Sequence, residues 1–177
     1  MTSFSLFKNE RALSTGAASS IGRGIAVALA REGAHVILAD IDSGRNAETL
    51  TLVKAAGGTG ETITCDLATA DGWKPLVAHI DKTGPVHMFV HSASPPRHEK
   101  DRIGTVDEAT FDAMLNTNVR SGFFLGQGLA NAWHAKGIKG RMLYLTSLHA
   151  GSPRNLPHYS ASKAGVMGML YAWDGEL

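Results

Sequence analysis

The segment from Ser147 to Lys163 reads Ser-Leu-His-Ala-Gly-Ser-Pro-Arg-Asn-Leu-Pro-His-Tyr-Ser-Ala-Ser-Lys, and it holds the residue types best suited to proton chemistry. It begins where an expected strand (Arg141 to Thr146) ends and finishes inside an expected helix. A serine hydroxyl and a helical tyrosine can therefore meet at one sheet edge. Tyr159 and Lys163 are four residues apart, which puts them on the same helix face. A free phenol, with a pKa of about 10, is a poor proton donor or acceptor at neutral pH. A neighbouring ammonium favours the phenolate. Tyr159 is thus a candidate general acid/base, and Ser147 a candidate hydrogen-bond donor to a substrate oxygen. With three tyrosines in the chain, a Tyr-x-x-x-Lys arises by chance in about one such sequence in seven, so the surroundings decide.

Those surroundings alternate strands with helices. Ala12 to Thr15 reads as a short strand that runs into Gly16-Ala17-Ala18-Ser19-Ser20-Ile21-Gly22-Arg23-Gly24, after which Ile25 and Leu29 begin a helix ending near Gly33. A glycine-rich turn from strand to helix brings backbone N–H groups and a helix N-terminus against a phosphate. Tight turns also need glycine for backbone reasons alone. The next strand, His35 to Ala39, ends in Asp40, close to the offset at which a carboxylate meets the adenosine ribose hydroxyls of a dinucleotide. An aspartate there repels a 2′-phosphate, so it points to NAD, with NADP the less favoured cofactor.

Further along, Ser43 to Ala56 reads as a helix capped by Ser43 and stopped by Gly57-Gly58. Glu61 to Cys65 is an expected third strand, followed by Asp66-Leu67. A helix runs from about Asp71 to Lys82 with Pro75 in its first turn, and Val86 to Val90 is an apolar strand of the buried parallel type. Pro95 to Thr105 is a charged, proline-bearing surface loop, and whether it also borders a substrate stays open. One long helical region follows from about Asp107 to Lys136, carrying Asn116-Thr117-Asn118-Val119 and then Phe123-Phe124. Gly140 to Thr146 is the fifth strand. Strands alternating with helices imply right-handed crossovers and a parallel sheet, with ligands beyond the carboxyl ends of the strands. Asp40, Asp66, the turn after Gly16, Ser92-Ala93 and Ser147 all fall on that rim.

Composition sets the frame. At 177 residues the chain makes one domain, large enough to bury roughly 70% of its unfolded surface. A formal charge of +1 without a basic block gives no footprint for nucleic acid. The single cysteine, Cys65, has no internal partner and suits a reducing compartment. The first residues, Met1 to Arg11, lack a signal-peptide core, and no apolar run is long enough to span a bilayer. A soluble cytoplasmic protein is expected.

These motifs, taken together, resemble the short-chain dehydrogenase/reductase family from Lys8 to about Tyr171. Thr15-Gly16-x-x-x-Ser20-x-Gly22 matches the family's Thr-Gly-x-x-x-Gly-x-Gly turn, with Ser20 in place of the middle glycine. Asp40 stands where members that prefer NAD keep an acidic residue, and Cys65-Asp66-Leu67 looks like the segment that meets the adenine. His91-Ser92-Ala93-Ser94 occupies the place of Asn-Asn-Ala-Gly, agreeing only at Ala93. Asn118, Ser147, Tyr159 and Lys163 match the four catalytic positions. The resemblance implies a Rossmann-like, doubly wound parallel sheet in three α/β/α layers, and hydride transfer between NAD(H) and a small carbonyl or secondary alcohol. In it Tyr159 exchanges a proton with the substrate oxygen, Ser147 hydrogen-bonds that oxygen, Lys163 holds the nicotinamide ribose and assists the phenol, and Asn118 orders a relay water. The expected cofactor-contacting set is Gly16, Ser19, Ser20, Ile21, Gly22, Asp40, Asp66, Leu67, Ser92, Ala93, Tyr159 and Lys163. Ser20 either crowds the pyrophosphate, which weakens NAD binding, or caps the helix. The family's long helix and its tyrosine-bearing helix build subunit contacts, so a homodimer or homotetramer is expected.

After Lys163 the helix continues through Met167 and Leu170 to Asp174-Gly175-Glu176-Leu177. Family members continue with strands beyond the fifth, a Pro-Gly turn over the nicotinamide, and a substrate-covering loop. Either the chain is incomplete or a partner supplies the remainder; an ordinary enzyme core favours the first. A non-catalytic NAD-binding or scaffold protein is the second functional class. A metal centre is not expected, because His87 and His91 share a strand and no His-Glu-x-x-His or cysteine pair is present. Ser152 is followed by Pro153 and Arg154, which does not make a hydrolase elbow.

Overall fold

A computed structural model describes residues 5–176. Five strands form one wholly parallel sheet: β1 (Arg11–Thr15), β2 (His35–Asp40), β3 (Thr59–Thr64), β4 (Met88–His91) and β5 (Arg141–Tyr144), in the order β3-β2-β1-β4-β5. The chain works outward from β1 to β3, then returns to the other side of β1 with β4. That reversal is the topological switch point of a Rossmann-like fold, and it opens a crevice beyond the carboxyl ends of β1 and β4.

The alternation of side chains along the strands makes three layers. Leu13, Ile37 and Phe89 face one way, against Leu76 and Ile80 of α3 (Lys74–Thr83) and Leu125, Leu129 and Trp133 of α5 (Ser121–Lys136). Ala12, Val36, Leu38 and Met88 face the other way, against Ala26 and Ala30 of α1 (Ser20–Arg31) and Val53 of α2 (Ser43–Ala55). The central strands β1, β2 and β4 are buried on both faces, whereas β3 and β5 lie at the sheet margins and alternate in exposure. Among the described residues β5 pairs with β4 alone, and Leu143 on it is half exposed.

Several boundaries differ from expectation. Helix α2 is capped by Asp42, whose carboxylate accepts a hydrogen bond from the Arg45 N–H at 2.9 Å, and Ser43 is the first helical residue. Aspartate is as good a cap as serine, so a chain offering Asp-Ser in sequence settles on the carboxylate, which also faces the positive helix end. The region after Asp107 is three pieces: α4 (Glu108–Leu115), a π-helical turn at Asn116–Arg120, and α5. The fifth strand stops at Tyr144, which frees Leu145 and Thr146 to turn toward the crevice. After a short 3-10 turn (Leu148–Ala150), α6 (Pro157–Asp174) completes the described chain. No helix among the described residues is long and apolar enough to cross a membrane.

Candidate active site

The turn after β1 decides where the site lies. Gly16 has φ +68°, a conformation that side-chain-bearing residues rarely adopt, and a Cβ there would stand 2.6 Å from the Ala93 nitrogen. The loops after β1 and β4 therefore touch backbone to backbone. Gly22 is packed behind this turn, where a Cβ would collide with the Gly16 carbonyl. The N-terminus of α1 then enters a cavity of about 590 Å³, a volume usual for small-molecule sites. Gly16, Ser19, Ser20 and Ile21 line it there; Asp40, Asp66 and Leu67 line it along the rim, and Ser92 and Ala93 at the switch point. The opposite end is walled by Tyr159 and Lys163 of α6 together with Thr146.

The carboxylates of the rim are held in place. Asp40 accepts from the Ala18 N–H (2.9 Å) and from the Asp42 N–H (3.1 Å), and Asp66 accepts from the Ala68 N–H (2.9 Å). Between them Cys65 is buried, and that burial, with Asp40 and Asp66 adding to it, pushes its thiol up to about 12. It stays protonated and chemically quiet. Among the described residues no three histidine, cysteine or acidic side chains cluster as metal ligands.

Ser20 departs from the glycine pattern at a cost. Its φ is +51°, so it holds a left-handed conformation that glycine accepts freely. It does not cap the helix: Ser19 occupies that position, and its side chain makes no capping bond. The two helical residues expected to act together do face one cavity. Tyr159 is buried, and Lys163 Nζ lies 5.8 Å from the centre of its ring. Lys163 donates to the Leu145 carbonyl at 2.7 Å, and burial, followed by the nearby Arg97 guanidinium, pulls its ammonium down to about 8. The Tyr159 carbonyl accepts from Ser162 Oγ (2.8 Å).

Asn118 and Ser147 do not line the cavity. Asn118 is fully buried in the π turn, where its amide donates to Ser162 Oγ (2.8 Å) and its Oδ1 has no hydrogen-bond partner among the described residues. Ser147 caps the 3-10 turn, accepting from the His149 N–H at 3.3 Å, and the His149 ring packs edge-on to Tyr159.

Two residues outside the expected set organise this end. The Arg97 guanidinium carbon sits 4.6 Å from the centre of the Tyr159 ring, so the loop after Pro95 does border the cavity. His91, in the asparagine's place, is buried, with Nδ1 2.9 Å from Thr15 Oγ1 and Nε2 3.0 Å from the Thr117 carbonyl. A carbonyl can only accept, so these partners assign the ring proton to Nε2. The imidazole thereby ties the end of β1 to the π turn that carries Asn118. Burial, reinforced by Lys163, pulls His91 down to about 4.

A family model described as short chain dehydrogenase matches residues 10–177. The chain belongs to the short-chain dehydrogenase family. It is 31% identical over 179 residues to the 2-dehydro-3-deoxy-D-gluconate 5-dehydrogenase of Escherichia coli (strain K12), a match covering 99% of the chain and 68% of the relative. It is 30% identical over 177 residues to the (3R)-3-hydroxyacyl-CoA dehydrogenase of Canis lupus familiaris, covering 94% of the chain and 67% of the relative. The solved structure of a metagenomic short-chain oxidoreductase in complex with NADP superposes with a TM-score of 0.89 at 27% identity, covering 97% of this chain and 77% of that one. The chain thus spans about two-thirds of the length of these curated relatives.

Two outcomes follow for this family member. Ser20→Gly is expected to relieve roughly 1 kcal/mol of backbone strain and to tighten NADH binding several-fold. Thermal melting and a fluorescence titration check it, and tighter binding by the unsubstituted chain contradicts it. For His91, unfolding restores an ordinary value near 6.5, so the unfolded state binds more protons below that pH. Stability therefore falls as pH drops from about 6.5 toward about 4. His91→Asn should flatten that interval in urea midpoints measured between pH 7.5 and 4.5; an unchanged slope rules the histidine out as its source.

Proposed function

We propose that the protein transfers a hydride between NAD(H) and a carbonyl or secondary-alcohol substrate, with Tyr159 as general acid/base. The observation that carries this reading is the pairing of Tyr159 with Lys163 on the wall of the same cavity into which the turn after Gly16 and the N-terminus of α1 open. The residues suit a dinucleotide. Gly16, bare of any side chain, lets the two loops meet, and the α1 N-terminus offers a seat for a pyrophosphate. Asp40 lies where the adenosine ribose hydroxyls would be recognised, and Asp66 and Leu67 lie on the adenine side.

A bound nicotinamide supplies or accepts the hydride. The chain's own groups handle the proton. Tyr159 gives its phenolic proton to the substrate oxygen in reduction and takes it back in oxidation. Ser147 lies outside the cavity lining but directly follows Thr146, which is part of it; its oxygen accepts from His149, and its hydroxyl proton would remain for that same substrate oxygen once a substrate is seated. Lys163, anchored by Leu145, reaches the nicotinamide ribose and supplies positive charge beside the phenol. Asn118, with an acceptor oxygen left over, orients a relay water. The free, protonated Cys65 suits a reducing cytoplasmic setting. The outer surface of α5 and α6, where Phe123, Phe124, Met169 and Trp173 surround a second cavity of about 580 Å³, is the contact we assign to a homodimer or homotetramer.

NAD is the cofactor we favour over NADP, because the Asp40 carboxylate would stand against a 2′-phosphate. Asp40→Asn should shift the ratio of kcat/KM for NADP over NAD upward by at least about tenfold; no shift removes Asp40 as the selector. The acid/base assignment is tested by Tyr159→Phe. It should lose turnover of an alcohol and ketone panel by a factor of about a hundred or more while an NADH titration gives an unchanged affinity. Alcohol oxidation at the unsubstituted rate would remove Tyr159 from the mechanism.

A further inference from the structure

The charges lining the cavity are sorted by sign. Asp40 and Asp66 stand toward β2 and β3, and backbone N–H groups engage both. At the other end stand two cations, Lys163 and Arg97, both near the Tyr159 ring: its centre is 5.8 Å from Nζ and 4.6 Å from the guanidinium carbon. Among the described residues Arg97 forms no salt bridge. Asp101, a carboxylate of the same loop, is turned elsewhere, accepting from the His98 N–H (2.9 Å) and facing His158 Nε2 at 3.6 Å. Burial, and after it the Arg97 guanidinium, hold the Lys163 ammonium below its usual range, the direction that two neighbouring like charges impose. An anion placed between them would relieve that repulsion, whereas a neutral alcohol would leave it standing.

The chemistry of the side chain narrows the choice. A guanidinium can rest against an aromatic ring and still present a fork of N–H donors, which matches the two oxygens of a carboxylate. We propose that the Tyr159 end of the cavity selects a hydroxy or oxo acid, with Arg97 pairing to the substrate's carboxylate a few bonds from the reacting carbon. The identity of the reacting carbon rests on the hydride-transfer reading; the anion site does not.

The test separates the two. The full chain, saturated with NADH so that already reduced ligands cannot react, is titrated calorimetrically with 3-hydroxybutyrate and D-gluconate and with the neutral amide of each. At least one acid should bind tenfold or more tighter than its amide, Arg97→Gln should bring that ratio close to one, and Arg97→Lys should recover part of it. Equal binding of acids and amides overturns the inference, as does a ratio that survives Arg97→Gln. So does an Arg97→Gln variant that weakens NADH and both ligands alike, since that result makes Arg97 a cofactor contact. Turnover is then measured with NAD. Acid discrimination without turnover of any alcohol supports the anion site and defeats hydride transfer, whereas turnover without acid preference does the reverse.

Discussion

The close approach of Gly16 to Ala93 is the constraint on which the site depends. Two loops leave neighbouring parallel strands at the point where the sheet order reverses, and they can meet only because no Cβ intervenes. Gly22 repeats the device one layer back by letting α1 settle onto the turn. Placing the helix N-terminus at the mouth of the crevice follows from these two contacts, and every other lining group is set relative to it. A larger residue at either position would push the first helix away from the sheet and widen the gap that a phosphate would have to bridge.

The opposite wall is built by a different means. Tyr159 and Lys163 come from one helix and are placed by its periodicity, but the groups behind them are placed by a break in periodicity. The π turn at Asn116–Arg120 rotates Asn118 inward toward Ser162, and the Thr117 carbonyl at that turn is met by His91 and by Ser121 Oγ at 2.7 Å. Leu156, with φ +55°, is a second irregular point immediately before α6. Backbone in such sparsely populated conformations is held by its surroundings, and both irregular points adjoin the residues proposed to do the chemistry.

Much of this architecture was legible in the residues. Parallel strands, the turn after Gly16 and the rim carboxylates Asp40 and Asp66 follow from local pattern, because each is encoded within a few neighbouring positions. What eluded the pattern is set by distant partners. A helix reading from Asp107 to Lys136 has no local sign of its π turn, whose stabilising imidazole comes from β4. Spacing alone points to Ser43 as the cap of α2, whereas the folded chain uses the Asp42 carboxylate one residue earlier. Arg97 sits in a proline-bearing loop that composition alone marks as surface, and only the fold brings it against Tyr159. Ser20 stands out in the sequence as an exception to the glycine pattern, but its left-handed backbone is a property of the folded turn.

The buried Cys65 thiol has a use of its own. It lies just past β3 on the wall of the crevice, where Asp40 and Asp66 also stand, and it is both buried and protonated. Cys65 also lines the crevice, so a thiol-directed reagent would approach it from the cavity itself. Its alkylation rate would therefore report access to that wall with no engineered label, and a ligand filling the cavity would slow it by covering the sulfur.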